Sequence, residues 1–280
     1  MASGLFVGLA TLDVVGYVDR RPDLDEKVEA VDMWTGVGGP ATNAAIAFCA
    51  LGGHARLLTA LGSDPAARIV SEDLARHEVE VVDLYTGGAF PVALVTVDSS
   101  GRRSVVSRNS VGLTTRRLTD KDLSGDHSVL VIDRHGFSLI ENGTFSRDGV
   151  TVLADLGTWN QHSEAILRFA DITVVPVFGL PEGERNHPVD FVTQHGGVRF
   201  ILTSGAEPIV VCDGSSIVQI SVPNVPTVDS LGAGDLFVGA LSFHLDHLPF
   251  LDAVSLASVT ASQSCATRSP RVSTNGVLVS

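Results

Sequence analysis

Of the 280 residues only three are cysteine: Cys49, Cys212 and Cys265. They are too few and too scattered for a disulfide framework or a zinc site, so they read as buried or inert thiols. Positive charge is scarce. Lys+Arg number 19 against 32 Asp+Glu, a formal net charge of −13, with a pI near 5.0. A body this acidic repels phosphate backbones, which argues against nucleic-acid binding. It leaves room for one small phosphorylated ligand held by a local nest of backbone N–H groups. Aromatic residues make up 6% of the chain, and no aromatic slot for a base can be placed from sequence. No apolar run approaches the roughly 18 residues of a membrane span, so no membrane partner is expected. Residues 253–267 are uncharged but rich in Ser and Thr, and read as a buried helix. The opening residues, Met1 to Phe6, lack a basic stretch. No signal peptide is expected there, and the expected location is cytoplasmic. There is no Gly-x-x-x-x-Gly-Lys-Ser/Thr loop, which excludes a Walker-type nucleotide site. Internal repeats and linkers are also missing.

What is present is a large apolar share, 44% hydrophobic against 18% charged, enough for a packed core. The length suits a single α/β domain spanning 1–280. Residues 5–10 form a short apolar run ending near Asp13, which reads as a buried strand. Residues 14–18 and 30–35 alternate, with polar chain between them, and predict a hairpin-like excursion. A loop at 36–40 leads to a small-residue helix over 43–51, with Thr42 as its expected cap, ended by Gly52-Gly53. A strand over 55–61 and a helix over 65–77 follow, the latter started by Asp64-Pro65. Strands are predicted over 79–85, 93–98 and 103–107. From there strands (129–132, 150–155, 172–175, 199–203) alternate with helices (138–146, 163–169, 188–195). That alternation argues a mostly parallel sheet with helices on both faces. Residues 209–212 and 217–222 read as an antiparallel edge pair, and 234–244 and 250–267 as helices. The excursions near 14–35 and 90–108 are expected to form a small β lid.

The sharpest feature is Asp229-Ser230-Leu231-Gly232-Ala233-Gly234-Asp235, after a strand and opening an apolar helix. Small residues at a helix N-terminus let N–H groups approach an anion closely. A carboxylate beside such a nest repels a resting phosphate. It makes chemical sense if Asp235 takes a proton from a hydroxyl that attacks phosphorus. The second cluster is Gly38-Gly39-Pro40-Ala41-Thr42-Asn43, another close-approach loop, with Asn43 able to donate to and accept from a polyol. Asp13 sits at the C-terminal end of the first strand, the edge where open α/β sheets hold ligands. Thr203-Ser204-Gly205 ends another strand and offers a second phosphate-contacting turn. The nine histidines are scattered, and His135 among them reads as a surface or core residue.

With these residues in order, the chain resembles the ribokinase, or pfkB, family of carbohydrate and nucleoside kinases from Leu5 to about Gly276. Asp229 to Asp235 resembles its Asp-Thr-x-Gly-Ala-Gly-Asp signature, with Ser230 for Thr. Gly38, Gly39 and Asn43 match its Gly-Gly-x-x-x-Asn. Within the family the resemblance is nearest to the ketohexokinase-like branch. It implies a ribokinase-like three-layer fold with a β lid. It implies an ATP-dependent transfer to a primary hydroxyl of a sugar or sugar-like molecule. Asp235 would be the general base, with Gly232, Ala233 and Gly234 as the anion hole. Asp13, Gly38, Gly39, Asn43 and Arg103 would meet the acceptor, and Asp25 would offer a carboxylate to a neighbouring subunit's sugar. Thr203, Gly205 and Asp229, with Gly232 and Gly234, would serve ATP. Magnesium would ride on the phosphates, with no metal ligand assigned to the chain, and a potassium-type site would lie near Asp229. A homodimer through the lid is implied as well. The chain departs from the family in three places. The Asn-x-x-Glu pair of many members is missing from 175–182. Pro40 replaces a polar residue that touches sugar in ketohexokinases, which tells against fructose. Pro208 stands where glycine often follows the Thr-x-Gly turn. The alternatives are a nucleoside or cyclitol kinase, and a non-catalytic sugar-binding member of the fold.

Overall fold

The computed structural model describes residues 2–140, 147 and 149–266. The first strand, β1 (Ser3–Val7), is buried and apolar over Leu5–Val7 because both its faces are covered. It is followed by β2 (Thr11–Val18), β3 (Asp32–Gly38) and helix α1 (Pro40–Ala50). The helix begins at Pro40, with Gly39 as its N-cap, two residues before the expected cap Thr42. Proline's fixed φ suits the first helical position, and Thr42 instead donates its hydroxyl to the Leu9 carbonyl. Next come β4 (His54–Thr59) and α2 (Pro65–Arg76), which Asp64 caps through the Ala66 N–H.

The predicted strand over 79–85 is two strands, β5 (Glu80–Asp83) and β6 (Tyr85–Gly87). The Asp83 carboxylate accepts from Leu61, Gly62 and Tyr85 N–H groups and turns the chain between them. Then follow β7 (Val92–Asp98), β8 (Arg103–Ser107), β9 (Thr114–Thr115) and α3 (Asp120–Leu123). The short β9 and α3, not expected from sequence, serve to pair with β6 and to hold the part-buried Asp122–Arg116 ion pair. The regular part runs β10 (Val129–Asp133), α4 (Phe137–Ile140), β11 (Thr151–Asp155), α5 (Ser163–Phe169), β12 (Ile172–Pro176), α6 (Pro188–Gln194) and β13 (Phe200–Thr203). The chain closes with β14 (Ile209–Cys212), β15 (Ile217–Ile220), α7 (Ala233–His244) and α8 (Phe250–Ser264). The helix predicted over 138–146 lies outside the described residues beyond Ile140, as does the end of the last predicted helix at 267.

Nine strands form one sheet in the order β15-β14-β13-β12-β11-β10-β1-β4-β5. It is parallel except at β14 and β15, as predicted. Alternate residues of each strand feed two cores. One face packs Phe6, Leu57, Val131 and Ile201 against α1, α2, α7 and α8. The other packs Val7, Leu130, Val152 and Phe200 against Phe137, Ile166 and Phe191 of α4, α5 and α6. This is the expected three-layer, ribokinase-like arrangement. The lid is a separate four-stranded sheet, β3-β2-β7-β8, and a face of it closes over the C-terminal edge of the large sheet.

Candidate active site

A cavity of ≈ 790 Å³ opens between the lid and the C-terminal ends of the strands. Its floor is the start of α7. Gly232 takes φ 75 as the N-cap of that helix, and no side chain caps it. A Cβ built on Gly234 would meet nothing within 4 Å, nor would one on Gly205 (φ 62). At both places bare backbone faces open cavity. The Ala233 N–H is turned to the Ser230 carbonyl at 3.3 Å. Of the three residues expected to form an anion nest, Ala233 is therefore partly committed to closing the turn.

Asp235 sits in the first turn of α7, and its Oδ2 accepts from Asn43 Nδ2 at 2.7 Å. The two residues stand on helices 192 positions apart, and the contact joins the two sequence clusters. Burial pushes the Asp235 carboxyl up to about 6; the Asn43 bond and Arg103 oppose this, and the charges of Asp13 and Asp133 add to it. Asp13, on β2, accepts from the Thr11 hydroxyl at 2.7 Å and lines the cavity. Gly38 does not line it but makes room: a Cβ there would lie 2.2 Å from the Asp13 carboxylate. Gly39, at φ 104, lines it where a Cβ would strike the Leu9 carbonyl at 2.1 Å. Arg103, on β8, donates from Nη1 to the Ser230 carbonyl and hydroxyl, each at 3.1 Å. Thr203 and Gly205 line the far end with Ile209, Val222 and Phe237.

Two expected residues lie elsewhere. Asp229 is buried and does not line the cavity; Tyr17 donates its hydroxyl to Oδ2 at 2.6 Å, and the Leu231 N–H donates to Oδ1 at 2.8 Å. Asp25 is exposed on the stretch between β2 and β3, at φ 59, outside this cavity.

Other cavity residues were not singled out from sequence. Asp155, ending β11, has its carboxyl pushed up to about 7 by burial and by the charges of Asp235 and Asp133. The signal was available, since Asp155 ends a parallel strand of the large sheet, the position expected of Asp13, which the structure instead places within the lid strand β2. Arg134 and His135 follow β10 and also line the cavity, so His135 belongs to the site and not to the surface or core. Arg134 runs across Gly157, where a Cβ would lie 3.3 Å from its Cδ. Burial lowers the His135 pKa. The neighbouring Asp133 is fully occupied: it accepts from the N–H groups of Leu9, Ala41, His135 and Gly136 and knits β1, α1 and β10 together.

Among the described residues no group of three or more His, Cys, Asp or Glu could hold a metal ion, and no helix is long and apolar enough to cross a membrane. A nest of backbone donors, a carboxylate of raised pKa beside it and a second carboxylate facing the cavity suit phosphoryl transfer to an alcohol.

Comparison with known proteins agrees. A family model described as pfkB family carbohydrate kinase matches residues 1–134 and 174–275. The ribokinase of Mus musculus is 26% identical over 274 residues, covering 89% of this chain and 84% of that protein. The structure of Arabidopsis thaliana ribokinase complexed with ribose and ATP superposes with TM-score 0.78 at 20% identity, covering 99% of this chain and 97% of that one. The adenosine kinase of Sinorhizobium meliloti superposes with TM-score 0.77 at 16% identity, covering 98% and 97%.

Proposed function

The chain belongs to the pfkB family of carbohydrate kinases and is an ATP-dependent enzyme of that class; from that premise we propose that it moves the γ-phosphoryl group of ATP to a primary hydroxyl of a sugar or sugar-like molecule. One observation carries the reading. Asp235 stands beside the Gly232–Gly234 turn with its carboxyl pushed up to about 6 and its orientation fixed by Asn43. A base poised near the working pH can take the acceptor's proton as the hydroxyl attacks phosphorus. The N–H groups of Gly232 and Gly234 meet the charge that develops on the transferred group, and Ala233 joins as its 3.3 Å bond to Ser230 loosens. Asp13 and Asn43 hold acceptor hydroxyls over Gly39. Thr203 and Gly205 cradle the phosphates and ribose of ATP. Arg134 reaches the phosphates from β10 and Arg103 from the lid.

Magnesium fits one place among these residues. Asp155 faces the cavity with Oδ1 held by the Gly157 N–H, and burial, with the negative charges of Asp235 and Asp133, raises its pKa. A divalent cation would relieve that charge. Asp155 would be its protein ligand, with phosphates and water completing the shell. When bound, the ion neutralises charge on the phosphates. Potassium fits less well, because Asp229 turns its two oxygens to Tyr17 and Leu231. No step is assigned to potassium.

The acceptor end favours a second reading within the same chemistry. Leu9, Pro40, Ala93 and Val105 give apolar wall to the cavity that Asp13 lines. An acceptor with an apolar face, a nucleoside or cyclitol, would use them, whereas fructose would miss the polar contact that Pro40 removes. The test is ADP release with Mg-ATP over ketoses, aldoses, cyclitols and nucleosides, beside Asp235→Asn. We expect turnover on one acceptor and a loss of about 10²–10⁴ in the variant. Wild-type turnover in the variant removes Asp235 as base. Sugar-induced thermal stabilisation with no turnover on any acceptor would favour a binding protein.

We also propose that two copies pair through the outer face of the lid, where Met33, Leu94 and Val106 are exposed at 61%, 56% and 72%.

A further inference from the structure

The turn that leads into α7 is held by the lid at three points. Tyr17 on β2 donates its hydroxyl to Asp229 Oδ2 at 2.6 Å, across 212 residues of sequence. Arg103 on β8 donates to the carbonyl and hydroxyl of Ser230. Leu231 packs against the apolar inner face of the lid, with Val15, Tyr17, Ala93, Val95 and Val97. Within the lid, Trp34 on β3 donates Nε1–H to the same Tyr17 oxygen at 3.3 Å. Tyr17 and Asp229 are 5% and 1% exposed, so water does not compete for this bond.

The bond continues into the nest. Asp229 Oδ1 accepts the Leu231 N–H at 2.8 Å, which sets the turn from which Gly232 emerges in its left-handed conformation. Asp13 lies on β2 on the same face as Val15 and Tyr17, since all three pair with inner-face residues of β7. One rigid strand thus carries an acceptor ligand at Asp13 and the fastening of the phosphate nest at Tyr17.

Resting on the kinase reading above, we propose that Tyr17 is a positioning residue: through Asp229 it fixes the Gly232–Gly234 turn relative to the acceptor held at Asp13. It touches neither substrate. Its contribution is the alignment of the accepting hydroxyl with the phosphoryl group, which small displacements degrade severely. An interaction of this kind shows in kcat more than in KM.

Tyr17→Phe removes one oxygen and keeps the ring in the lid core. The expected result is a kcat at least about tenfold lower, with KM for ATP and for the acceptor within about threefold of wild type. A second readout needs no turnover. Trp34 and Trp159 are the chain's two tryptophans, and Trp159 packs against Phe191 and His195, outside the cavity lining. In a Trp159→Phe background Trp34 alone reports. Titration with Mg-ADP should change its emission when Tyr17 is present and leave it unchanged in Y17F. A kcat within twofold of wild type, a loss carried by KM alone, or an unaltered Trp34 response in Y17F would each overturn the proposal. If wild type phosphorylates no acceptor, the kinase reading fails by itself, and the Trp34 titration still decides whether Tyr17 links lid and nest.

Discussion

The role proposed for Asp235 carries a cost in stability. Burial raises its carboxyl to about 6, from an ordinary value of 3.8. A carboxyl with a higher pKa folded than unfolded binds its proton more tightly in the folded chain. Its destabilising effect is therefore nil below the unfolded value, grows as pH rises, and is complete above the folded value. Asp235→Asn removes the charge and can keep the bond to Asn43. Its melting temperature should exceed that of wild type by roughly 3–6 °C at pH 8, and the two should coincide near pH 4. An equal difference at both pH values would mean that the effect is packing and not charge. The same carboxyl sets an acid limb on activity. kcat/KM should fall as pH drops through about 6 to 7, because Asp235 and Asp155 protonate as a coupled set. Asp235, Asn43 and Gly39 were legible in the sequence because the chemistry there is local: small residues, a helix start, a carboxylate. Asp155, Arg134 and Tyr17 were not, because each acquires its place from a neighbouring strand or from the lid.

At the scale of elements, the site depends on how closely α1 and α7 approach. Gly239 makes that possible: a Cβ there would lie 2.3 Å from the Ala44 carbonyl and 2.7 Å from the Ala47 Cβ. Ala44 follows Asn43, and Gly239 is one turn beyond Asp235. Gly239→Ala therefore pushes the helices apart beside the 2.7 Å bond that orients Asp235, the proposed base. Overpacking of this kind costs about 1–3 kcal/mol. Beyond that loss, turnover should fall roughly tenfold at temperatures where the variant remains folded, since misplacing a base is penalised steeply. A fall in melting temperature with full turnover would separate packing from orientation. The alternation of strands and helices predicted the large sheet well, because fully buried strands are apolar throughout and stand out. Helix starts were read less well. Thr42 looks like a cap, but Pro40 has already fixed the helical φ and Thr42 is buried against Leu9. The break at Asp83 was invisible too, since two N–H groups of one distant turn, Leu61 and Gly62, join that of Tyr85 on one carboxylate.

For the whole molecule, the lid presents two faces of different character. The inner face carries Asp13, Val15 and Tyr17 and closes the cavity. The outer face carries Val14, Met33, Leu94 and Val106, joined by the pairings Val14 with Leu94, Leu94 with Val106, and Gly16 with Met33. The alternation within these strands announced a two-faced sheet in the sequence; which face was covered, and by what, depends on the rest of the fold. On a body with a formal charge of −13, a sheet face whose exposed centre is Met33, Leu94 and Val106 is a place where two copies can meet with few like charges opposite one another. Leu94→Glu with Val106→Glu puts four carboxylates into that proposed interface, two from each copy. Wild type at micromolar concentration should sediment at twice the chain mass of 29.3 kDa, and the double variant at the chain mass itself. If Asp25 serves the acceptor of the neighbouring subunit, separation should also raise KM for the acceptor and leave KM for ATP unchanged. A wild-type chain that sediments as a monomer would remove both the lid interface and the role of Asp25, while Asp235 and its nest would stand unaffected, because every residue they require comes from one chain.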